Sequence, residues 1–167
     1  AEDAFTYTAR VLDSKLLPAR LDLLAGAAGA GLPAAALALL IGLEGSPETV
    51  ERQVKDLRGM AEAAGAVSVE QPEPKVAGGL ERLARDLPAT TRARLVVRAG
   101  LPIGAQGPFW KGALAACAGL PASTLLARAG LGFVYVLADA EPARLLSLAE
   151  ALRALAEGLG GYAIMER

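Results

Sequence analysis

The sequence predicts an α+β fold of βαβ repeats, with a mainly antiparallel sheet that carries its helices on one face. Three observations lead there. One unit occurs twice: an apolar run, a capped amphipathic helix, a Gly stop and a short strand. Near the middle it reads Ala36–Gly42, Ser46-Pro47-Glu48, a helix to Ala64, Gly65, and Val67-Ser68-Val69. At the end it reads Phe133–Leu137, Glu141-Pro142, a helix to Leu159, Gly160-Gly161, and Tyr162–Met165. Shorter runs elsewhere alternate apolar and polar residues, as half-buried strands do. Those strands all place Arg on the non-apolar side, at Arg20, Arg94, Arg98 and Arg128. One face is therefore packed by helices, and the other is partly polar and open.

Taken in order, Phe5–Arg10 alternates and reads as a strand, and Val11–Leu17 as a helical turn or two ending at Pro18. Ala19–Leu24 alternates with Leu21 and Leu23 on one side and Arg20 and Asp22 on the other. Ala25–Gly31 is a small-residue loop. Ala35–Leu43 is short and apolar on both faces, and reads as a central strand. The next helix is the best marked. Ser46 caps it, Pro47 suits its first position, and Glu48 suits the positive end of its dipole. Val50, Val54, Leu57, Ala61 and Ala64 form one stripe, and Gly65 stops the helix. Val67–Glu70 is the returning strand and Gln71–Pro74 a loop.

Leu80–Leu87 reads as a short helix with Leu80, Leu83 and Leu87 in register. Arg94–Ala99 sets Leu95 and Val97 against Arg94, Val96 and Arg98. Pro108–Ala118 is a small-residue helix stopped by Gly119. Thr124–Ala129 and Phe133–Leu137 are strands joined by the tight turn Gly130-Leu131-Gly132. The last helix stacks Leu145, Leu148, Leu152, Leu155 and Leu159 on one stripe.

The 167 residues suit one domain, Ala1–Arg167, with a substantial core. Hydrophobic residues make up 53% and the net charge is −1, which argues against disorder and against electrostatic capture of nucleic acid. The apolar stretch Leu32–Leu43 contains Pro33 and Gly42 and is too short to cross a bilayer. No signal-peptide pattern opens the chain, so a soluble cytoplasmic protein is expected. The start at Ala1-Glu2-Asp3 fits either a processed chain or a fragment with its leading part missing. The absence of His removes the commonest general base and metal ligand, and one Cys excludes an internal disulfide framework. The absence of Asn fits a thermophile, or a codon bias of the same appearance.

Few motifs carry chemistry. Gly130-Leu131-Gly132 is followed by a strand where a dinucleotide loop needs a helix, so a hairpin turn is the reading. Gly100–Gly107 lacks the Gly-Lys-Ser/Thr ending of a nucleotide loop. Cys117, in an Ala-rich helix, reads as a buried small hydrophobe, and Trp110 beside Lys111 as a packing anchor. The Arg face has two readings that start level. Several guanidinium groups can hold a carboxylate or phosphate, or their stems can simply cover a solvated sheet.

Three segments, in order, resemble the C-terminal domain of FAD-linked oxidases of the vanillyl-alcohol oxidase type. Asp13-Ser14-Lys15-Leu16-Leu17-Pro18-Ala19-Arg20-Leu21-Asp22-Leu23-Leu24 is similar to that family's Ser-x-Leu-x-Pro-Ala-x-Leu-x-Leu pattern. Leu39-Leu40-Ile41-Gly42-Leu43-Glu44-Gly45-Ser46 precedes the helix with Val50 and Gln53. Ala127-Arg128-Ala129-Gly130-Leu131-Gly132-Phe133-Val134-Tyr135 precedes a long helix and Gly160-Gly161. Within the family the strongest likeness is to the FAD-binding subunit of glycolate oxidases (glycolate dehydrogenases).

The resemblance implies a ferredoxin-like domain that covers the flavin, with FAD bound mainly by a preceding domain absent from this chain. Arg94, Arg98, Arg128 and Tyr135 on the open face would meet flavin or substrate, and the chain alone is expected to bind no FAD. Partners would be the FAD-binding domain and the other subunits of a glycolate oxidase complex. Catalytic members carry His-x-Gly-x-Gly-x-x-His at the third segment, and its two His positions fall on Arg128 and Tyr135. Neither replaces a neutral imidazole as a base at pH 7 without a large pKa shift. The expected role is thus support of electron transfer, with no catalytic residue in this chain. The alternative is a non-enzymatic ferredoxin-like ligand-binding or subunit-association module.

Overall fold

The computed structural model describes residues 2–26 and 37–167. Among them are five helices, α1 (Glu2–Leu12), α2 (Pro47–Ala63), α3 (Pro74–Thr90), α4 (Gln106–Ala116) and α5 (Pro142–Gly158). The strands are β1 (Arg20–Ala25), β2 (Ala38–Gly42), β3 (Leu95–Gly100), β4 (Ala122–Arg128), β5 (Phe133–Asp139) and β6 (Tyr162–Met165). They form one sheet in the order β2-β1-β4-β5-β3-β6, and all of its pairings are antiparallel. The α+β class and the antiparallel sheet are as the sequence predicts. No helix among the described residues is long and apolar enough to cross a membrane.

The repeat is real, but its first copy lies elsewhere than expected. In β3-α4-β4, the strand β5 sits between the two strands that α4 connects; in β5-α5-β6, β3 does so. These two split βαβ units interlock into a ferredoxin-like βαββαβ sheet, to which β1 and β2 add at the β4 edge. The likeness between the α2 and α5 regions is confined to the helix and its end. After α2, Gly65 (φ +77°) and Ala66 close a turn onto Glu62 and Ala61. After α5, Gly160 (φ +76°) and Gly161 close the same turn onto Glu157 and Ala156. Only the second leads into a strand. Val67–Glu70 is exposed irregular backbone, not the expected strand, because Pro72 and Pro74 follow it with no N–H to donate to a ladder.

Three other expectations are corrected. Phe5–Arg10 is helical: Tyr7 and Val11, four apart, are both buried, and Thr8 Oγ1 donates to the Ala4 carbonyl at 2.8 Å. Its apparent alternation coincides with one helical stripe. The strand expected at Ala35–Leu43 is β2, at the edge of the sheet and half-buried, not central. Residues 35 and 36 and most of the Ala25–Gly31 loop lie outside the described residues. The helix expected at Leu80–Leu87 runs from Pro74 to Thr90, with Pro74 in its first turn.

The main core lies on one face. Leu21 and Leu23 of β1, Leu95 and Val97 of β3, Leu125 and Ala127 of β4, and Val134 and Val136 of β5 point into it. They meet Tyr7 and Val11 of α1, Leu57 of α2, Phe109 and Trp110 of α4, and Leu145, Leu148, Leu152 and Ala156 of α5. Helix α3 departs from the expectation of helices on one face only. It lies across the opposite face, where its Ala84 is buried with Leu24 and Leu126. The reason is parity: Leu24, Leu40 and Leu126 are apolar on the side where Arg predominates, and they supply a small second core.

Candidate functional site

The face under α3, continued beyond it onto β5, β3 and β6, carries every residue that the sequence proposes for a site. Strand register lays it out in rows. One row runs Asp22, Arg128, Phe133, Gly100, Tyr162, and the next Leu24, Leu126, Tyr135, Arg98, Ile164. Arg98 and Tyr135 are thus cross-strand neighbours. Arg94 lies just before β3 and pairs with Asp139 at 2.5 Å, away from the other three.

Each arginine is engaged. Arg98 Nε donates to Glu166 Oε1 at 2.7 Å, and its guanidinium sits 5.2 Å from the centroid of the Phe133 ring. Arg128 stands 5.8 Å from the centroid of the Tyr135 ring, so the two positions that the resemblance singles out are in contact. Arg128 also reaches α3, where its Nη2 donates to the Arg85 carbonyl at 2.9 Å and the Ala84 carbonyl at 3.4 Å. The second acceptor is free because Pro88, four residues on, has no N–H. Arg20 likewise donates to the Glu81 carbonyl at 2.8 Å. The structure therefore divides the candidate set. Arg128 and Tyr135 lie at the α3-covered part of the face, Arg98 on the strip beyond it, and Arg94 at its far end.

Asp22 was legible only as a polar residue on an alternating strand. It is 3% exposed, and its Oδ2 has no hydrogen-bond partner among the described residues. Burial pushes its carboxyl above the usual range, against the opposing pull of Arg128 and then Arg20. A raised folded pKa favours the protonated acid, so this contribution to stability is present at low pH and lost as pH rises through the folded value. Asp22→Asn should therefore raise the urea midpoint at pH 7. The gain should disappear below the unfolded carboxylate pKa of about 3.9. A variant less stable than the parent at pH 7 would show instead that attraction to the arginines outweighs burial.

Beyond the α3-covered rows, Tyr162 lies over Gly100, where a Cβ would come within 2.6 Å of its ring. Tyr162 remains 50% exposed and Ile164 39%. A shallow open depression of about 400 Å³ lies at this end of the sheet, between the Leu101–Pro102 corner, the Leu131–Phe133 turn and Gly160–Tyr162. Its glycines do not form a phosphate cradle. A Cβ on Gly132 would meet the Leu101 carbonyl oxygen at 2.6 Å, and one on Gly161 would overlap the Gly100 carbonyl oxygen. The fold's own loops fill that space. The Gly130–Gly132 segment is a tight turn between paired strands, held by buried Gln106. In the orientation that satisfies both ends, the Gln106 amide nitrogen donates to the Ala129 carbonyl at 3.0 Å and its oxygen accepts from Phe133 N at 3.3 Å.

Cys117 is buried in the core, and burial pushes its thiol pKa up, as suits an inert packing residue. Among the described residues there is no group of three or more His, Cys, Asp or Glu able to hold a metal. What the face offers is flat aromatic and aliphatic surface with guanidinium groups at its margin. No protein-family model matches this chain, and no curated protein does.

Proposed function

We propose that this chain is the flavin-covering domain of an FAD-linked 2-hydroxy-acid oxidase or dehydrogenase of the glycolate type. In this reading it works in the cytoplasm with a separate FAD-binding domain and the other subunits of a glycolate oxidase complex. One observation supports it most: a strip of sheet face bearing Arg98 and Phe133 and the half-exposed Tyr162, while the opposite face is filled by the main core. The residues fit the covering side of a flavin and not the phosphate-binding side, since Gly132 and Gly161 are used up in loop packing.

When bound, FAD would accept the hydride from the substrate's hydroxyl-bearing carbon. This chain's part is to exclude water over the ring with Phe133 and Tyr162 and to present Arg98 to a carboxylate, with Glu166 giving way. Arg128 and Tyr135, in contact with each other, hold the sheet face in shape and carry no proton in the reaction.

The test is expression of the complete reading frame, with whatever is encoded before Ala1, followed by glycolate-dependent flavin bleaching. Retained flavin and bleaching that survives Tyr135→Phe are expected. A frame that opens directly before Ala1, or bleaching abolished by Tyr135→Phe, would overturn the proposal or its assignment of roles. The edge of β6, unpaired among the described residues and with Met165 56% exposed beside Ile164, favours the second reading, a module for subunit association.

A further inference from the structure

We infer that α3 is a removable cover on the sheet face and that Arg128 is its two-position latch, held either by the α3 backbone or by Asp22. The inference concerns this chain alone and does not depend on flavin.

Three observations carry it. Asp22 and Arg128 are direct cross-strand partners in the β1–β4 pairing, of opposite charge and on the same face. Such neighbours lie close enough for their side chains to pair. Yet Arg128 spends its Nη2 on the Arg85 and Ala84 carbonyls, and buried Asp22 Oδ2, 3.7 Å from Arg20 Nε, is left without a hydrogen bond among the described residues. One guanidinium thus has two competing sets of acceptors. A charge-assisted bond to a carboxylate is stronger than one to a carbonyl, so the arrangement seen is kept only while α3 stays docked.

The docking itself is light. Ala84 is the one fully buried residue of α3, and its second core holds only Leu24, Ala84 and Leu126 as buried members. Leu87 adds a partly buried apolar contact, and the remaining tethers are polar, from Arg20 to the Glu81 carbonyl and side chain and from Arg167 to the Thr91 carbonyl at 2.7 Å. The helix is also intrinsically weak, with Gly78 and Gly79 in its first half and Pro88 near its end. It is preceded by the exposed stretch Gly65–Glu73. A helix so placed belongs to the low-stability end of a domain, where opening is local and not global. Lifting it lets Arg128 swing to Asp22, which gives the buried oxygen a hydrogen bond, and uncovers Leu24, Leu40 and Leu126. The open strip beyond Tyr135 then extends across β4 to β1, enlarging the face available to a docking domain.

Native-state hydrogen exchange read by mass spectrometry on the full chain tests this. Amides of residues 74–90 should exchange by an opening that leaves residues 142–158 protected. Asp22→Asn, which replaces the charged competing acceptor by a neutral amide with little change of shape, should slow exchange in 74–90 by about tenfold, the difference between a carboxylate and a neutral acceptor for the guanidinium. Arg128→Gln should speed it with α5 unchanged. If α3 and α5 open together, or if Asp22→Asn leaves or accelerates α3 exchange, there is no latch. The asparagine variant keeps the question answerable should Arg128→Gln fail to fold.

Discussion

Leu152→Ala is expected to cost the fold about 2–5 kcal/mol, measured as a fall in the chemical-denaturation midpoint at an unchanged slope. Leu152 is 0% exposed, at the centre of the α5 stripe formed by Leu145, Leu148, Leu152 and Ala156. The stripe packs on the main core between the strands that α5 connects and the neighbouring helix α4. The two helices approach closely at Gly112, where a Cβ would come within 2.6 Å of Leu155 Cδ2. That close fit sets the size of the effect. With α4 seated against α5, the backbone has little room to collapse into the space a leucine leaves, so the cavity term adds to the lost transfer free energy. A loss near zero would mean that α5 is not seated on the sheet as described.

How much of this was legible in the sequence follows from how local each signal is. Caps and stops are decided within a few residues. So Ser46-Pro47 and Gly65 bound α2, and Gly160 ends α5, where the sequence places them. Strand parity is also local, and it assigns Leu21, Leu23, Leu95 and Val97 to the main core correctly. What failed depends on which sheet positions other elements have already taken. β2 is apolar on both faces, yet it lies at the edge because β1 pairs onward to β4. Val67–Glu70 has the composition of a strand, but the prolines after it turn the chain into α3.

The candidate site shows the same division. Alternation puts Arg98, Arg128 and Tyr135 on one face. It says nothing of α3, which engages Arg128 from a distance of more than forty residues in the chain. Nor does it flag Asp22, whose importance comes from burial beneath a helix whose apolar stripe is only Ala84 and half-buried leucines. Sequence spacing finds faces. Which members of a face are already spent on the protein's own backbone is a tertiary fact.

Gly132→Ala should be the second large effect, and it bears on the glycine pattern that prompted the family resemblance. Gly132 has φ +75°, in the left-handed region that an L-residue enters at a cost of about 1–2 kcal/mol. Its Cβ would also meet the Leu101 carbonyl oxygen at 2.6 Å, while Gly132 O accepts from Leu101 N at 2.8 Å. The turn and the β3–α4 corner are thus clamped backbone to backbone, and forcing them apart adds about 1–3 kcal/mol. Gly130 is the control. Its φ is not positive, and a Cβ there would meet only Leu12 Cδ2 at 3.8 Å, an ordinary contact. Equilibrium denaturation of the two alanine variants should therefore show Gly132→Ala strongly destabilised and Gly130→Ala close to the parent. The fold then requires one glycine of the pair and leaves the other unexplained. If Gly130→Ala keeps its stability but weakens the flavin retention proposed above, that glycine serves the close approach of a partner. If it harms stability as much as Gly132→Ala, the whole Gly-x-Gly pattern is turn chemistry, and its weight as a sign of flavin-linked ancestry falls accordingly.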